Sequence, residues 1–381
     1  MVMKIAIFTD SFLPGIGGTE KAVLGLATAL SKENEVVVCC PEWTFPHDDD
    51  YPFKVFRAAS LTITHNDMLA LPSISLGFRK KIKDFAPDII HCHSVSSMAG
   101  YALNYGEKYN IPVVMTVHTK FKTAFEKSIK NKAIVNRLIK GIAKKLNKAS
   151  AVATVSRDMT GELKSYGYEG EVAVVRNGAM FEKVQNLDEL CEKRQKFLHI
   201  RQNDNVFLFV GRIEKYKNIE FILNALKVIK DKNVSFKMFF VGEGADKNYF
   251  INKTNELGLA EEVKFIGQVS DPKQLSMYYA AADLFIFPSI FDNDPLTVVE
   301  SAVHCVPSIT LEGTGSSERI KNGISGFISK NFLEEFANNI VKAISDKDKL
   351  HQIGKMAQKL IPKTWDQTAN EYLEIYKKLI K

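Results

Sequence analysis

The sequence predicts an α/β chain made of two doubly wound domains. Its 381 residues exceed what one hydrophobic core usually supports, so two domains of about 170 to 190 residues each are expected. Short apolar runs of strand length alternate with longer segments of helical period through both halves. A polar, charge-rich stretch from Glu182 to Asn205 separates the two series. The expected domains are therefore 1–180 and 190–362, followed by a terminal helix over 364–381.

In the first half, Lys4 to Thr9 (KIAIFT) is a strand that ends in a loop containing Gly15, Gly17 and Gly18, and Thr19 to Ser31 has helical periodicity. Val36 to Cys40, Ile89 to Cys92, Val113 to Val117 and Ala151 to Val155 repeat the strand pattern. The run VVRNGAMF, Val174 to Phe181, closes this unit, and the polar stretch after it is the expected hinge. In the second half Val206 to Val210, Lys237 to Val241, Val263 to Ile266, Leu284 to Phe287, Ser308 to Thr310 and Phe327 to Ile328 read as strands. Pro362 precedes the terminal helix.

A content of 45% hydrophobic and 25% charged residues is that of a globular protein, and it excludes a disordered or fibrous chain. No apolar run reaches the roughly 18 residues that span a bilayer. Thr9 and Asp10 fall where a signal peptide would continue apolar, so a cytosolic location is expected. The five cysteines, Cys39, Cys40, Cys92, Cys191 and Cys305, lie mostly in apolar runs without CxxC spacing and read as reduced core residues.

The net charge of +7 is modest for this length, but its distribution is uneven. From Lys120 to Ser150 the chain carries ten Lys or Arg against one acid, Glu126. Ile134, Val135, Leu138, Ile139, Ile142, Ala143 and Leu146 recur there at helical spacing. Two readings stand side by side. One is a packed helix with a solvated lysine face; the other is attraction of the Lys120–Lys148 segment to anionic lipid headgroups, at about 1 kcal/mol per cation near the surface. Phe121 and Phe125 are its only aromatics and no nucleic-acid module surrounds it, so no nucleic-acid partner is expected.

Ligands of doubly wound sheets sit outside the carboxyl ends of the strands, which directs attention to the residues just after each strand. In the first half these are Gly15, Gly17 and Gly18, then His91 and His93, His118 and Ser156. The glycines let backbone amides and a helix N-terminus approach an anion. A dinucleotide fingerprint would need a third glycine where Glu20 stands, although Glu42 could mimic the ribose acid, so a hydride-transfer enzyme is disfavoured without being excluded. His118 in TVHTK suits either a structural role or a hydrogen bond to a sugar hydroxyl or leaving phosphate. His91 and His93 share one strand face, which is core as easily as cleft.

The second half supplies the stronger set. Arg212 follows a strand and Lys217 lies near the start of the next helix, positions from which both can meet a diphosphate and stabilise charge developing on it. Gly242-Glu243-Gly244 is a second glycine turn that would let backbone approach a nucleotide. Asp292 and Glu300, with seven residues between them, bracket a loop and helix start, SIFDNDPLTVVESA, and are suited to sugar and ribose hydroxyls. Pro295 fits a first helical turn, so Asp292 or Asp294 is the expected cap, and Leu296 to Val299 would aim free amides at phosphate or sugar oxygens. Taken alone, Asp292 reads as an N-cap and Glu300 as a helix-face acid; their combination points to a ligand site.

These residues resemble a family 4 retaining glycosyltransferase of the GT-B fold, and the resemblance runs over nearly the whole chain. It is carried by Gly17-Gly18-Thr19-Glu20, Val175-Arg176-Asn177-Gly178, Val210-Gly211-Arg212 with Lys217, Val241-Gly242-Glu243-Gly244, and Ala281-Ala282-Asp283 leading into Pro288-Ser289. The acid pair ending Glu300-Ser301-Ala302, Ser317-Glu318, Asn322 to Phe327, and Trp365 at the start of the terminal helix complete it. The resemblance implies two Rossmann-like domains facing a cleft, the first (1–180) for the acceptor and the second (190–362) for the nucleotide sugar, with the helix over 364–381 crossing back to the first. It further implies that Arg212 and Lys217 hold the diphosphate of a UDP- or GDP-sugar, Glu300 the ribose and Asp292 the transferred sugar. Gly242, Gly244, Asn293, Pro295, Leu296 and Thr297 would line the donor site. Gly17 and Gly18 would lie on the cleft side of the first domain, with His118 near the donor sugar. The chain departs from the family's pattern at Asp292, where Glu is usual, at Asn293-Asp294-Pro295 in place of Gly-Phe-Gly, and at Asn218 in place of Gly.

The expected chemistry is front-face transfer with retention, in which the leaving phosphate helps deprotonate the acceptor hydroxyl, with no metal and no cofactor beyond the donor. Domain closure would complete the site, hinging over 178–200 and around Pro362. The basic helix hints at a lipid-linked acceptor at the inner membrane face, and a saccharide acceptor is equally compatible. Two rival readings share the fold: a nucleotide-sugar 2-epimerase, which needs acid/base groups and no acceptor, and a non-catalytic nucleotide-sugar-binding partner subunit.

Overall fold

The structure is a computed structural model that describes residues 2–14, 17–43, 49–64, 67–181, 197–198, 200–201 and 204–380. Gly15, Cys191 and most of the Glu182–Asn205 stretch in which the hinge is expected lie outside the described residues. The chain divides into two compact units, Met1–Met180 with Lys363–Lys381, and Phe181–Pro362.

The first unit contains β1 (Lys4–Phe8), α1 (Gly18–Leu30), β2 (Glu35–Pro41), β3 (Lys54–Ala58), β4 (Ser60–Thr64), β5 (Asp67–Ala70), α2 (Leu76–Phe85), β6 (Ile89–Cys92) and α3 (Ser97–Tyr109). It continues with β7 (Val113–Val117), α4 (Phe121–Ser128), α5 (Lys132–Leu146), β8 (Ala151–Thr154), α6 (Asp158–Tyr166) and β9 (Val172–Val174). Its parallel sheet has the order β3-β2-β1-β6-β7-β8-β9, and β4 and β5 form a separate antiparallel pair. Side-chain alternation shows why β1 is apolar from Ile5 to Phe8. Ala6 and Phe8 join a core with Phe78 of α2, Met98 of α3 and Ile139 of α5. Ile5 and Ile7 join a second core with Val23 and Leu26 of α1. A strand buried on both faces cannot show polar alternation.

The second unit contains β10 (Asn205–Val210), α7 (Ile219–Asp231), β11 (Phe236–Val241), α8 (Lys247–Glu256), β12 (Val263–Gly267), α9 (Pro272–Ala281) and β13 (Leu284–Ile286). It continues with α10 (Leu296–Val303), β14 (Ser308–Leu311), β15 (Gly326–Ser329), α11 (Leu333–Ile344) and α12 (Lys347–Leu360). Its sheet is also parallel, with the order β12-β11-β10-β13-β14-β15. Both units are thus Rossmann-like, as the sequence predicts. In each the strand order reverses once, between β1 and β6 and between β10 and β13. Such reversals leave a crevice at the carboxyl ends of the strands, where ligands bind.

The last helix, α13 (Trp365–Leu379), packs within the first unit. Thr364 and Gln367 form a capping box at its start, the Gln367 amide donating to Thr364 Oγ1 at 3.2 Å and the Thr364 amide to Gln367 Oε1 at 2.9 Å. Trp365 lies so close to the chain that a Cβ at Gly25 would be 2.2 Å from its ring and one at Gly178 2.7 Å. Tyr372 and Tyr376 are buried in the α1 core; at roughly 150–250 Å² each, their burial contributes roughly 4–6 kcal/mol apiece before ordering entropy is counted.

The basic segment is two helices, α4 and α5, where the sequence suggests one. Asn131 caps α5, its side chain accepting from Ala133 N at 2.9 Å, and so restarts the helix. Val135, Ile139, Ile142, Ala143 and Leu146 are buried as expected, but Ile134 and Leu138 are 49% and 40% exposed. The lysines are not all solvated either. Lys145 donates to the carbonyls of Val95 and Ser96 at 2.6 and 2.9 Å, and its burial lowers its pKa. Lys120 pairs with Asp158. Among the described residues no helix is long and apolar enough to cross a membrane. Cys39, Cys40 and Cys92 are buried free thiols, their pKa raised chiefly by burial, and Cys305 is a half-buried one.

Candidate functional site

In the second unit, the carboxyl ends of β10 and β13 bring the predicted cation and acid together. Lys217 ends a 3-10 turn, Lys215–Lys217, and its Nζ lies 2.6 and 2.8 Å from the two carboxylate oxygens of Asp292. The Ser289 hydroxyl also donates to Asp292. The ammonium stands 5.7 Å from the Phe287 ring centre and 5.2 Å from that of Tyr216. Arg212 reaches out instead: its side chain is 65% exposed, 3.8 Å from Glu214, with the guanidinium 5.4 Å above Tyr216. Burial holds the Tyr216 phenol well above its usual range, so it stays neutral beneath the two cations.

Asn218, directly after Lys217, has a left-handed backbone, φ 62°. Asparagine tolerates that conformation better than other side chains, and its amide donates to the Pro288 carbonyl at 3.1 Å. Asn218 therefore ties the Lys217 turn to the loop that carries Asp292.

The glycine turns also meet within the unit. A Cβ at Gly242 would lie 1.9 Å from the Gly211 carbonyl oxygen, and one at Gly244 2.3 Å from that of Ile213. The loops after β10 and β11 are laced together by Gly211 N to Val241 O at 3.0 Å and Ile213 N to Glu243 O at 2.9 Å. Gly242 and Gly244 thus allow loop to meet loop on either side of Arg212.

The capping expectation is overturned. Pro295 itself is the N-cap of α10, with no side-chain cap bond, and the helix starts at Leu296. Asp292 is engaged by Lys217. Asp294 is engaged by Arg319, whose Nε and Nη2 donate to its two oxygens at 2.5 and 2.6 Å, while Nη1 donates to the Ile361 carbonyl at 3.1 Å. This ion pair is nearly sealed from solvent, with side-chain exposures of 6% for Arg319 and 1% for Asp294. Asn293 rests against the Gly315 turn, where a Cβ would lie 2.3 Å from the Asn293 carbonyl oxygen. With α10 so oriented, the amides of Leu296 and Thr297 have no earlier helical turn to bond to, which is the usual anion-facing end of a helix.

Glu300 is buried, 1% exposed, within α10. The Tyr279 hydroxyl donates to its Oε2 at 2.8 Å. His304 Nδ1 lies 2.7 Å from the Glu300 carbonyl, and its Nε2 2.6 Å from Ser276 Oγ. Burial lowers the His304 pKa, so a neutral ring stacks on Tyr279 with centroids 5.2 Å apart.

In the first unit, Gly17 is the N-cap of α1 and Gly18 its first residue. A Cβ at Gly17 would meet the Glu20 carboxylate, which accepts from the Ser11 hydroxyl. His118 follows β7, and its Nε2 is 2.9 Å from Nδ1 of His93, just past β6. Beside them Asp10 accepts from the amides of Ser96 and Met98 at 3.0 and 3.1 Å and fixes the start of α3. Arg319, Tyr279 and Asp10 escaped the sequence reading. For Asp10, an acid directly after the first strand was the available signal; Arg319 lies 25 residues from its partner, and no local pattern announces it. Among the described residues no three His, Cys, Asp or Glu side chains converge as a metal-holding group.

Comparison with known proteins follows the same division. The sequence model described as Glycosyltransferase Family 4 matches residues 16–182, and that described as Glycosyl transferases group 1 matches residues 191–360. The chain is similar to the alpha-monoglucosyldiacylglycerol synthase of Acholeplasma laidlawii, 24% identical over 374 residues covering 93% of this chain and 92% of that one. It is also similar to the UDP-Gal:alpha-D-GlcNAc-diphosphoundecaprenol alpha-1,3-galactosyltransferase of Escherichia coli, 27% identical over 354 residues, 90% of this chain and 89% of that one. Among solved structures it is similar to Anabaena Alr3699/HepE in complex with UDP, with a TM-score of 0.78 at 20% identity over 99% of this chain and 100% of that one. A second similar structure is WaaG, a glycosyltransferase involved in lipopolysaccharide biosynthesis, with a TM-score of 0.74 at 14% identity over 97% and 99% of the two chains. At these identities the structures establish a shared fold.

Proposed function

Because the chain belongs to the family 4, group 1 glycosyltransferases of the GT-B fold and is a nucleotide-sugar-dependent hexosyltransferase, we propose that it moves a hexose with retention from a UDP- or GDP-sugar to a lipid-linked or glycan acceptor. The observation that carries this reading is the convergence of Lys217, Asp292 and the N-terminus of α10 at the strand-order reversal of the second unit. Lys217 and Arg212 would hold the diphosphate, with the Leu296 and Thr297 amides adding partial positive charge. Asp292 would leave Lys217 for the sugar hydroxyls, and Glu300, braced by Tyr279, would serve the ribose. His118 would hydrogen-bond the transferred sugar.

In the proposed step the acceptor oxygen forms a bond to the anomeric carbon on the face from which the diphosphate departs. The bond from that carbon to the phosphate oxygen breaks, its electron pair leaving with the diphosphate, and the acceptor proton passes to the departing phosphate. The cations then have one task, to stabilise the growing charge, and this reading calls on no metal.

Thermal unfolding with UDP, GDP and NAD, for the wild type and Arg212→Ala, tests the donor site. A ligand at about 100 times its Kd stabilises the native state by about 2.7 kcal/mol. A shift with UDP or GDP that shrinks in Arg212→Ala is expected. A shift with NAD alone would return the chain to hydride transfer.

The lipid-linked acceptor is favoured by one feature of α5: Ile134 and Leu138 stand exposed among Lys132, Arg137 and Lys140. Apolar side chains in a cationic surface suit an anionic bilayer, which would locate the enzyme peripherally at the cytoplasmic membrane face. Sedimentation with vesicles containing phosphatidylglycerol is expected to retain the wild type and to lose most of an Ile134→Ser/Leu138→Ser variant. Equal retention of both proteins would remove these residues from the membrane contact.

A further inference from the structure

Within the first unit, the loops that follow β1 and β2 border a cavity of about 240 Å³, beside the reversal of strand order between β1 and β6. Ligands of doubly wound sheets lie at such a reversal. The cavity is smaller than the roughly 300–1,000 Å³ that holds a drug-sized ligand, so it suits one ring or a three-carbon unit. Bonds between loops fix its outline. Arg57 of β3 donates from Nη1 to the Pro41 carbonyl at 3.2 Å and from Nη2 to the Leu13 carbonyl at 3.0 Å. The Trp43 indole donates from Nε1 to the Phe12 carbonyl at 3.2 Å, which orients the ring and spends its one N–H.

The chemistry of the lining is one-sided. Asp10 is the one ionisable side chain among the described residues that line it. A carboxylate offers about four acceptor positions, and the Ser96 and Met98 amides take one on each oxygen, which leaves the group both oriented and able to accept more. The Ser11 hydroxyl donates to Glu20, so what it retains for a ligand is acceptor lone pairs. Ser96, which is exposed, adds a hydroxyl. The Lys145 ammonium acts on Asp10 through its charge, but it is engaged by the Val95 and Ser96 carbonyls. Phe12, Pro41, Trp43 and Met68 make up the apolar remainder. A phosphate or carboxylate would meet an acid and few donors there. A hydroxyl brings the proton that these acceptors lack, and the C–H groups of its carrier can cover the apolar side.

We propose that this cavity is a subsite for one uncharged polyol, a pyranose ring or a glyceryl group, whose hydroxyls donate to Asp10 and Ser11. The polyol would be part of the acceptor, an assignment that rests on the transfer reaction proposed above.

Indole ¹⁵N NMR of the whole protein reads the cavity without requiring that reaction. The chain has two tryptophans, Trp43 and Trp365, and the signal lost in Trp43→Phe is that of Trp43. Methyl α-D-glucopyranoside and glycerol are expected to shift it saturably, and inorganic phosphate to leave it in place; the polyol that saturates at the lower concentration distinguishes a ring from a glyceryl group. Asp10→Asn exchanges a charged acceptor for a neutral one and is expected to weaken polyol binding about tenfold. Met68→Tyr narrows the cavity while leaving Asp10 and its amide partners intact, and is expected to abolish the shift. The subsite is overturned by the absence of a saturable Trp43 shift with either polyol up to its solubility, by an equal shift with phosphate, or by unchanged affinity in both variants. Unchanged kcat and acceptor KM in a Met68→Tyr enzyme that has lost the shift would overturn the assignment to the acceptor and leave the subsite supported. A Trp43 shift in a protein that neither UDP nor GDP stabilises would count against the transfer reading and for the subsite.

Discussion

Lys217→Ala is expected to lower the transfer rate by about 10²- to 10³-fold, the usual effect of deleting one charged group that stabilises a developing anion. Lys217 is placed for this by its turn, by the apolar wall of Phe287 and by the neutral Tyr216 beneath it. Its present partner is Asp292, at 2.6 Å, so the anion must displace a carboxylate to reach it. That exchange yields a second, opposite expectation. Asp292→Asn should tighten binding of the bare nucleoside diphosphate, because Lys217 loses its charged partner, while slowing transfer, because the sugar hydroxyls exchange a carboxylate for a weaker neutral acceptor. Steady-state rates and nucleotide titration of both variants check the pair. A Lys217→Ala protein that melts like the wild type and retains its rate within about threefold would remove Lys217 from the reaction.

Asp294→Ala is expected to be the most destabilising single change around the site. Removing one partner of a buried ion pair leaves the other charge uncompensated and costs about 3–5 kcal/mol, and here Arg319 would lose both of its bonds to the Asp294 carboxylate. For a unit of this size that corresponds to a fall of roughly 10 °C in the melting temperature. The double variant Asp294→Leu/Arg319→Met is expected to recover most of the loss, because two apolar side chains need no mutual neutralisation. Calorimetry of the three proteins decides the matter. If Asp294→Ala melts within about 2 °C of the wild type, the pair does not secure the loop.

The same loop marks the limit of local reading. Proline after an acid is a sound sign of a helix start, and α10 does begin there, one residue later than expected. The cap failed because both candidate acids are claimed by cations distant in sequence: Lys217 is 75 residues from Asp292, and Arg319 is 25 from Asp294. A full charge-assisted pair outweighs a cap bond of about 1 kcal/mol. The strands missed by the sequence were those with weak burial signatures. β3 and β9 are edge strands with mostly half-buried side chains, and β4 and β5 pair only with each other. Interior strands such as β1, β6, β7 and β10 were legible because both their faces are covered and their runs are mostly apolar.

The sequence by itself determined the alternation of strands and helices, the two-unit division, and which residues follow the strands: Arg212 after β10, His118 after β7 and Asp292 after β13. These are properties of neighbours along the chain, set by burial periodicity and by turn chemistry within a few residues. Only the tertiary structure decided the partners: Lys217 with Asp292, Arg319 with Asp294, Tyr279 with Glu300, His93 with His118, and Tyr376 with His91 across 285 residues. Strand order brings those groups together, and hydrogen bonds of this kind are selected by distance and desolvation in the folded unit, which sequence separation does not encode.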